Sequence, residues 1–194
     1  VTVSPSWSDR SFGTVTGSDG RWIVKIKTPK GSDKSYTLKI TDSNKGEKIL
    51  SDVLVGEVWL CSGQSNMEHP MKGFSASEPV QDSEKELSDA DYPQFRYFKV
   101  PRDVSREPRY DTGESSWKSC SRDNAKDFEA IAFFFGRRIH KALDVPVGII
   151  GCAYGGSRIE GWMPPESFTK LAKNEYMDSD KLSEGENSAS APSN

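Results

Sequence analysis

The first 50 residues alternate between apolar and polar positions, with turn-forming residues between the alternating segments. Residues 22–26 and 36–40 each place an apolar side chain at every second position, which is the spacing of a half-buried β-strand. Proline, glycine and aspartate lie between the two segments and favour a turn. The pattern predicts a pair of antiparallel strands within a small β-sandwich portion at residues 1–52.

The pattern then changes to nearly continuous apolar runs. Residues 53–61, VLVGEVWLC, are typical of a strand that is buried on both faces in a parallel sheet. Residues 95–100 and 146–152 predict two further strands. Between them, residues 127–143 follow a helical period, with Asp127 as the predicted cap. The predicted apolar stripe of this helix consists of Ile131, Phe135, Ile139 and Ala142. Strand, helix and strand in this order indicate a βαβ unit.

Two polar segments interrupt or follow this pattern. Residues 72–91 are acidic and predict a surface loop, and residues 173–194 are rich in serine and predict a flexible tail that cannot bury a core. Residues 53–172 therefore predict an α/β domain with a parallel sheet. Three strands fall short of the roughly five to six of an average sheet, so we expect this sheet to be incomplete in the chain.

Composition excludes several classes of function. The 194 residues are 34% hydrophobic and 28% charged, and their net charge is -3 without a basic cluster. This balance argues against a nucleic-acid partner. No apolar run approaches the ~20 residues of a membrane span, so membrane insertion is not expected. The cysteines, Cys61, Cys120 and Cys152, lack metal-ligand spacing, and we expect no metal and no cofactor, although a bridge from Cys120 in an exported protein stays open.

Candidate chemistry lies directly after two predicted strands. Ser65 follows the run at 53–61, and Gly155 and Gly156 follow the strand at 146–152. Ligands of parallel sheets collect at the carboxyl ends of the strands, where a serine hydroxyl and backbone N–H groups could meet a carbonyl. Ser65 could equally cap a helix that begins near Asn66, and the two glycines could form an ordinary turn. The segment lacks the second glycine of a G-x-S-x-G elbow.

Three blocks of the sequence match a known family. Residues 55–68, VGEVWLCSGQSNME, resemble the nucleophile block of the sialate O-acetylesterase family of SGNH-type hydrolases, which is related to carbohydrate esterase family 6. A second block agrees in order and spacing, VPVGII at 145–150 followed by YGGSRIEGWM at 154–163. The helix segment at 132–140 also resembles the family, and the resemblance covers roughly residues 50–168.

The resemblance implies a flavodoxin-like α/β fold and a serine esterase that removes acetyl groups from sugars, sialic acid first. Ser65 would be the nucleophile, and its N–H, with that of Gly155 or Gly156, would form the oxyanion hole. Gln64 and Asn66 would shape the turn. The family also implies an extracytoplasmic location, periplasmic or secreted. Two departures, a tyrosine at 154 in place of tryptophan and a serine at 157 in place of threonine, concern specificity more than mechanism.

Two expected elements of the family are not in this sequence: its third block and the Asp-x-x-His motif that supplies the base. His69 and His140 each lack an aspartate three residues earlier, and we assign neither as the base. We therefore expect the catalytic histidine and aspartate in a missing C-terminal portion or a second chain. A chain that ended at Asn194 should have negligible esterase activity.

The remaining candidates keep two interpretations each. Arg158 could pair with a sialic acid carboxylate, or form an ordinary ion pair with Glu160. Trp162 could stack on a sugar, or be buried beneath the loop. Arg102 carries no distinctive signal.

Three functions stay open beside the sialate esterase: an acetylxylan esterase of the same superfamily, a catalytically silent carbohydrate-binding module, and a phosphate or nucleotide binder that uses the glycine turn.

Overall fold

A computed structural model of the chain describes residues 1–105, 107–164, 166 and 167. The chain divides into two compact units, of which the first comprises Val1–Gly155 and the second begins at Gly156. The predicted tail at 173–194 lies outside the described residues. The boundaries that we predict after residues 52 and 172 stay predictions.

The first sheet is antiparallel and has four strands in the order β2-β1-β3-β4. The strands are β1 (Thr2–Pro5), β2 (Phe12–Gly13), β3 (Tyr36–Thr41) and β4 (Glu47–Val53). Because β3 pairs with β1 on one side and with β4 on the other, it has no free edge for another strand. Residues 22–26 therefore cannot pair with β3, and the predicted strand there is wrong because the structure has no strand in this segment.

The second sheet is mixed, with the order β5-β8-β6-β7. It consists of β5 (Glu57–Gly63), β6 (Asp91–Lys99), β7 (Lys118–Ser121) and β8 (Val147–Ala153). β8 pairs in parallel with both β5 and β6, while β7 pairs antiparallel with β6. The predicted α/β class with a parallel sheet is confirmed, and so is the βαβ unit from β6 to β8.

Strand β5 is more exposed than its sequence indicates. Within the part of the chain that the structure describes, only β8 pairs with it, so β5 is an edge strand. Val58 is 63% and Leu60 is 67% exposed. The expectation of burial on both faces is wrong here. Trp59 packs on the Phe135 ring at a centroid distance of 5.2 Å, whereas the opposite face, which carries Val58 and Leu60, is exposed.

Helix α4 (Ala130–Leu143) crosses from β6 to β8. Its N-cap residue is Glu129 and not the predicted Asp127, whose carboxylate instead pairs with Lys72 at 2.7 Å. The buried face of α4 comprises Ala130, Ala132, Phe133 and Gly136, whereas Ile131 and Ala142 of the predicted stripe are exposed.

Gly136 selects this face. A methyl group on Gly136 would lie 2.6 Å from Cε2 of Phe95, so the helix backbone approaches β6 more closely than any larger residue would permit. Glycine has low hydrophobicity, so the hydrophobic pattern of α4 does not indicate Gly136 as a core residue. The pattern therefore predicts a neighbouring face of the helix as the buried one. Phe95, Phe128, Phe133 and Ile149 form the centre of this core.

The other helices are short: α1 (Ser65–Glu68), α2 (Ser83–Ser88), α3 (Arg122–Ala125) and a 3-10 turn (Ile159–Trp162). Helix α2 lies within the predicted surface loop and anchors it, because Leu87 is buried and Glu86 forms an ion pair with Arg137 on α4. No helix in the described ranges has the length and apolar character that would let it cross a membrane.

Candidate active site

The two turns marked by the sequence lie side by side because β5 and β8 are parallel neighbours. Gly63 is opposite Ala153, and the N–H of Tyr154 donates a hydrogen bond of 2.9 Å to the Gly63 carbonyl. Ser65 and Gly155 are each two residues beyond this pair. A methyl group on Gly155 would lie only 3.5 Å from the Ser65 Cα, so these two residues are in contact distance.

Ser65 is the first residue of α1, and Gln64 occupies the N-cap position without a side-chain capping bond. The alternative that Ser65 merely caps a helix beginning at Asn66 is therefore wrong. The Ser65 side chain is exposed, and its hydroxyl has a long, weak hydrogen bond of 3.5 Å to Gln64 Oε1. The hydroxyl is thus accessible at the carboxyl edge of the sheet. Gln64 and Asn66 are exposed on either side of it.

The sequence analysis did not single out Glu68, which joins the two turns. Its side chain is only 4% exposed, and Oε2 accepts a hydrogen bond of 2.8 Å from the N–H of Gly155. Its other carboxylate oxygen accepts a hydrogen bond from Arg102. The signal in the sequence that could have identified Glu68 is its spacing, since an acidic residue three positions after Ser65 can share one short helix with it.

The charge state of Glu68 follows from two opposing effects. Burial raises the pKa of this carboxyl, but the hydrogen bonds from Arg102 and from the N–H of Gly155 outweigh burial and hold the pKa below its usual range. Glu68 is therefore ionised at neutral pH, and its negative charge lies beside the positive charge of Arg102.

Three predicted residues belong to the second unit. Gly156 has a φ of 76°, a left-handed conformation that favours glycine. Arg158 is exposed and, among the described residues, forms no ion pair with Glu160 or another acid. The Nε1–H of Trp162 donates a hydrogen bond of 2.9 Å to the Ser157 hydroxyl, and its ring is partly exposed rather than buried.

The two histidines are held by main-chain carbonyls. The Nδ1–H of His140 donates to the Val145 carbonyl, directly before the start of β8. Because β8 is parallel to β5, this places His140 at the amino edge of the sheet, roughly 20 Å from the carboxyl edge over a seven-residue strand. The Nε2–H of His69 donates to the Glu78 carbonyl, and its ring packs edge-on against Phe74.

A second buried acid lies below the carboxyl edge. Glu129 is fully buried, and among the described residues neither of its carboxyl oxygens nor the Tyr97 hydroxyl has a hydrogen-bond partner of good geometry. Both groups converge over Gly151, where a methyl group would lie 2.6 Å from Glu129 Oε2. Burial raises the pKa of Glu129, and the neighbouring Glu68 carboxylate adds to the increase.

This raised pKa predicts a pH-dependent stability. The favourable contribution of the protonated Glu129 carboxyl is complete below its ordinary pKa of 4.5 and is lost as the pH rises through the folded-state value. Glu129→Gln should therefore melt at a higher temperature than the parent at pH 8, by a few degrees, with a smaller difference at pH 4.5. Thermal melts at both pH values test this.

The control for this prediction is Glu84→Gln at an exposed position of α2. It should shift the melting temperature equally at both pH values. A difference between Glu129→Gln and the parent that did not grow between pH 4.5 and pH 8 would contradict the prediction.

The cysteines take no part in this site. All three are free, and burial raises the pKa of the Cys120 thiol to about 12. Burial also raises the pKa values of Cys61 and Cys152, which lie within β5 and β8. In the described part of the chain, no three histidine, cysteine or acidic side chains are grouped so that they could hold a metal ion.

Comparison with known proteins identifies relatives of this chain. A family model described as carbohydrate esterase, sialic acid-specific acetylesterase, matches residues 55–181. The sialate O-acetylesterase of Rattus norvegicus is 31% identical over 160 residues, which cover 77% of this chain and 28% of the rat protein. That of Mus musculus is 38% identical over 120 residues, covering 57% and 21% of the two chains.

A solved structure agrees with these relatives. The crystal structure of a carbohydrate acetylesterase from Xanthomonas citri matches with a TM-score of 0.78 and 32% sequence identity, over 87% of this chain and 36% of that chain. The chain thus spans about a quarter of the length of the curated relatives and about a third of the solved one.

Proposed function

The chain belongs to the sialic acid-specific acetylesterase family of carbohydrate esterases, and on this basis we propose that the complete protein hydrolyses O-acetyl esters of sugars, foremost those of sialic acids, with Ser65 as the nucleophile. The observation that carries the proposal is the contact between the exposed Ser65 turn and the Gly155 turn at the carboxyl edge of the parallel sheet. Such an edge is where parallel α/β sheets bind their ligands.

The proposed reaction has two steps. Ser65 Oγ forms a bond to the acetyl carbonyl carbon, its proton passes to a general base, and the bond from that carbon to the sugar oxygen breaks as the oxygen takes the proton. Water then hydrolyses the acetyl-serine and releases acetate. During both steps the N–H of Ser65 would stabilise the oxyanion together with a second backbone N–H other than that of Gly155, which donates to Glu68 instead. Each such donor is worth about 3 kcal/mol.

We propose that the histidine and aspartate of this mechanism lie outside the described residues, in a C-terminal portion or a second chain. The placements of His140 at the opposite edge and of His69 on the Glu78 carbonyl support this assignment. Neither imidazole is oriented by a carboxylate in the described part of the chain, which is the usual arrangement for such a base.

Exposed residues of each unit offer candidate groups for binding the sugar. Gln64 and Asn66 flank the nucleophile, and Arg158 has a guanidinium that could form a bidentate pair with the carboxylate of a sialic acid. Trp162 offers a partly exposed ring for stacking. A substrate of this kind also supports an extracytoplasmic location for the protein.

Acetate release from two substrates tests the substrate class. The complete protein should release acetate from O-acetylated sialic acid with a kcat/KM at least about tenfold higher than from acetylated xylan, a difference of about 1.4 kcal/mol. The two reactions should be measured side by side at equal ester concentration. A preference for xylan would assign the acetylxylan alternative. No release from either substrate would leave the carbohydrate-binding module and the phosphate or nucleotide binder.

A further inference from the structure

We propose that Glu68 is a positioning residue of this active site: its carboxylate fixes the turn that carries Gly155 against the turn that carries Ser65. The inference rests on the proposed esterase function. It assigns to Glu68 a role that neither the nucleophile nor the general base performs.

The geometry shows one side chain joining two strand ends. Glu68 is on the same turn of helix as Ser65, three residues later, and its Oε2 accepts the Gly155 N–H at 2.8 Å. The contact spans 87 residues of sequence and connects the end of β5 with the end of β8. A methyl group on Gly155 would lie 2.7 Å from Glu68 Oε2, so a larger residue there would displace this carboxylate oxygen.

Arg102 completes the arrangement from a third segment. Its guanidinium forms an ion pair with the Glu68 carboxylate and lies 4.9 Å from the centroid of the Tyr154 ring, next to Gly155 in the chain. A buried carboxylate without a partner is strongly unfavourable, and Arg102 supplies the compensating charge. Only the Glu68 end of this ion pair is buried, whereas the Arg102 side chain is 51% exposed.

The position of the Gly155 turn matters for catalysis because oxyanion donors act only when they are held in place before the reaction. The N–H of Gly155 is used by Glu68 in this arrangement. Gly155 therefore anchors its turn, and the oxyanion would be stabilised by the N–H of Ser65 together with a donor other than Gly155. Displacements of about 1 Å at such a site lower rates by around a hundredfold.

Kinetics of two Glu68 variants in the complete protein test the proposal. Glu68→Ala should lower kcat by about 10- to 100-fold and change KM less than about threefold, since the substrate-contacting groups remain. Glu68→Gln keeps one oxygen that accepts the Gly155 N–H, but its Nε2 cannot accept from Arg102, so kcat should fall about 3- to 10-fold, less than in Glu68→Ala. The difference in kcat between the two variants separates the effect of a hydrogen-bond acceptor at position 68 from the effect of its negative charge.

The matched control is Glu86→Ala, which removes another partly buried Glu–Arg pair, the one between Glu86 on α2 and Arg137 on α4. Its kcat should stay within about twofold of the parent. If Glu68→Ala fails to fold, Arg102→Ala serves instead, because the Arg102 side chain is 51% exposed, and its kcat should fall about 3- to 10-fold. A kcat within twofold of the parent for Glu68→Ala, or an equal loss in Glu86→Ala, overturns the proposal.

A measurement without substrate separates this inference from the proposed function. Hydrogen exchange followed by mass spectrometry should show faster exchange at the Gly155 amide in Glu68→Ala than in the parent, and parental exchange in Glu86→Ala. If the parent hydrolyses no acetyl ester, the proposed function fails, and with it the catalytic role of Glu68. Unchanged exchange at Gly155 in an active Glu68→Ala enzyme overturns the positioning role alone.

Discussion

Ser65→Ala should abolish acetate release from O-acetylated sialic acid by the complete protein, with a loss in kcat of at least about a thousandfold. The Ser65 Oγ is the atom that would bond to the acetyl carbon. Without this nucleophile, only the oxyanion donors and substrate binding would still accelerate the reaction, and their effect is modest. The substitution should not disturb folding, because the Ser65 side chain is exposed and its hydrogen bond to Gln64 is long, at 3.5 Å.

The matched control for this prediction is Ser88→Ala at the end of α2, where the hydroxyl lies 2.7 Å from the Lys85 carbonyl and 3.4 Å from Asp89 Oδ1 as a donor to both. Acetate release by this variant should equal that of the parent within experimental error. Turnover by Ser65→Ala at more than a tenth of the parental rate would exclude Ser65 as the nucleophile, whichever sugar is the substrate.

Phe95→Ala should cost about 3–5 kcal/mol of the free energy of unfolding, the usual range for loss of a buried phenylalanine. Phe95 is fully buried in the middle of β6, and its ring centroid lies 6.1 Å from those of both Phe128 and Phe133. Gly136 of α4 packs directly against the same ring, so the helix cannot move in to fill the cavity without leaving its other contacts. Urea denaturation measures the loss.

Phe74→Ala provides the comparison for Phe95→Ala, because this phenylalanine is 49% exposed. Its substitution should lower the free energy of unfolding by less than about 1 kcal/mol. Similar losses in the two variants would show that the core is not centred on Phe95. A domain of this size has about 5–15 kcal/mol of stability in total, so Phe95→Ala should also raise the fraction that is unfolded at 37 °C.

Particular residues show where sequence analysis of the fold succeeds and where it fails. The βαβ unit was predictable because the helical period at 127–143 and the apolar strands beside it are local properties of the chain. The same kind of local pattern predicts a strand at 22–26 that pairs with β3, but the neighbours of β3 are β1 and β4. Alternation indicates that a segment could be a strand and does not show which segment it pairs with.

The buried face of α4 illustrates a second limit. The pattern indicates Ile131 and Ala142 as core positions, whereas the structure buries Ala132 and Gly136. The buried face of α4 is the one whose backbone lies close to Phe95. Small residues permit this close approach although their hydrophobicity is low.

The sequence by itself determined the class of the fold and the family, and it placed Ser65 and the glycine turn each at the end of a strand. These features depend on residue type, period and spacing within short segments, all of which are readable along the chain. Tertiary structure alone decided that the two turns touch, that Glu68 holds Gly155 across 87 residues, and that Arg102 neutralises this buried carboxylate. Such contacts depend on the parallel register of β5 and β8, a property of two distant segments together.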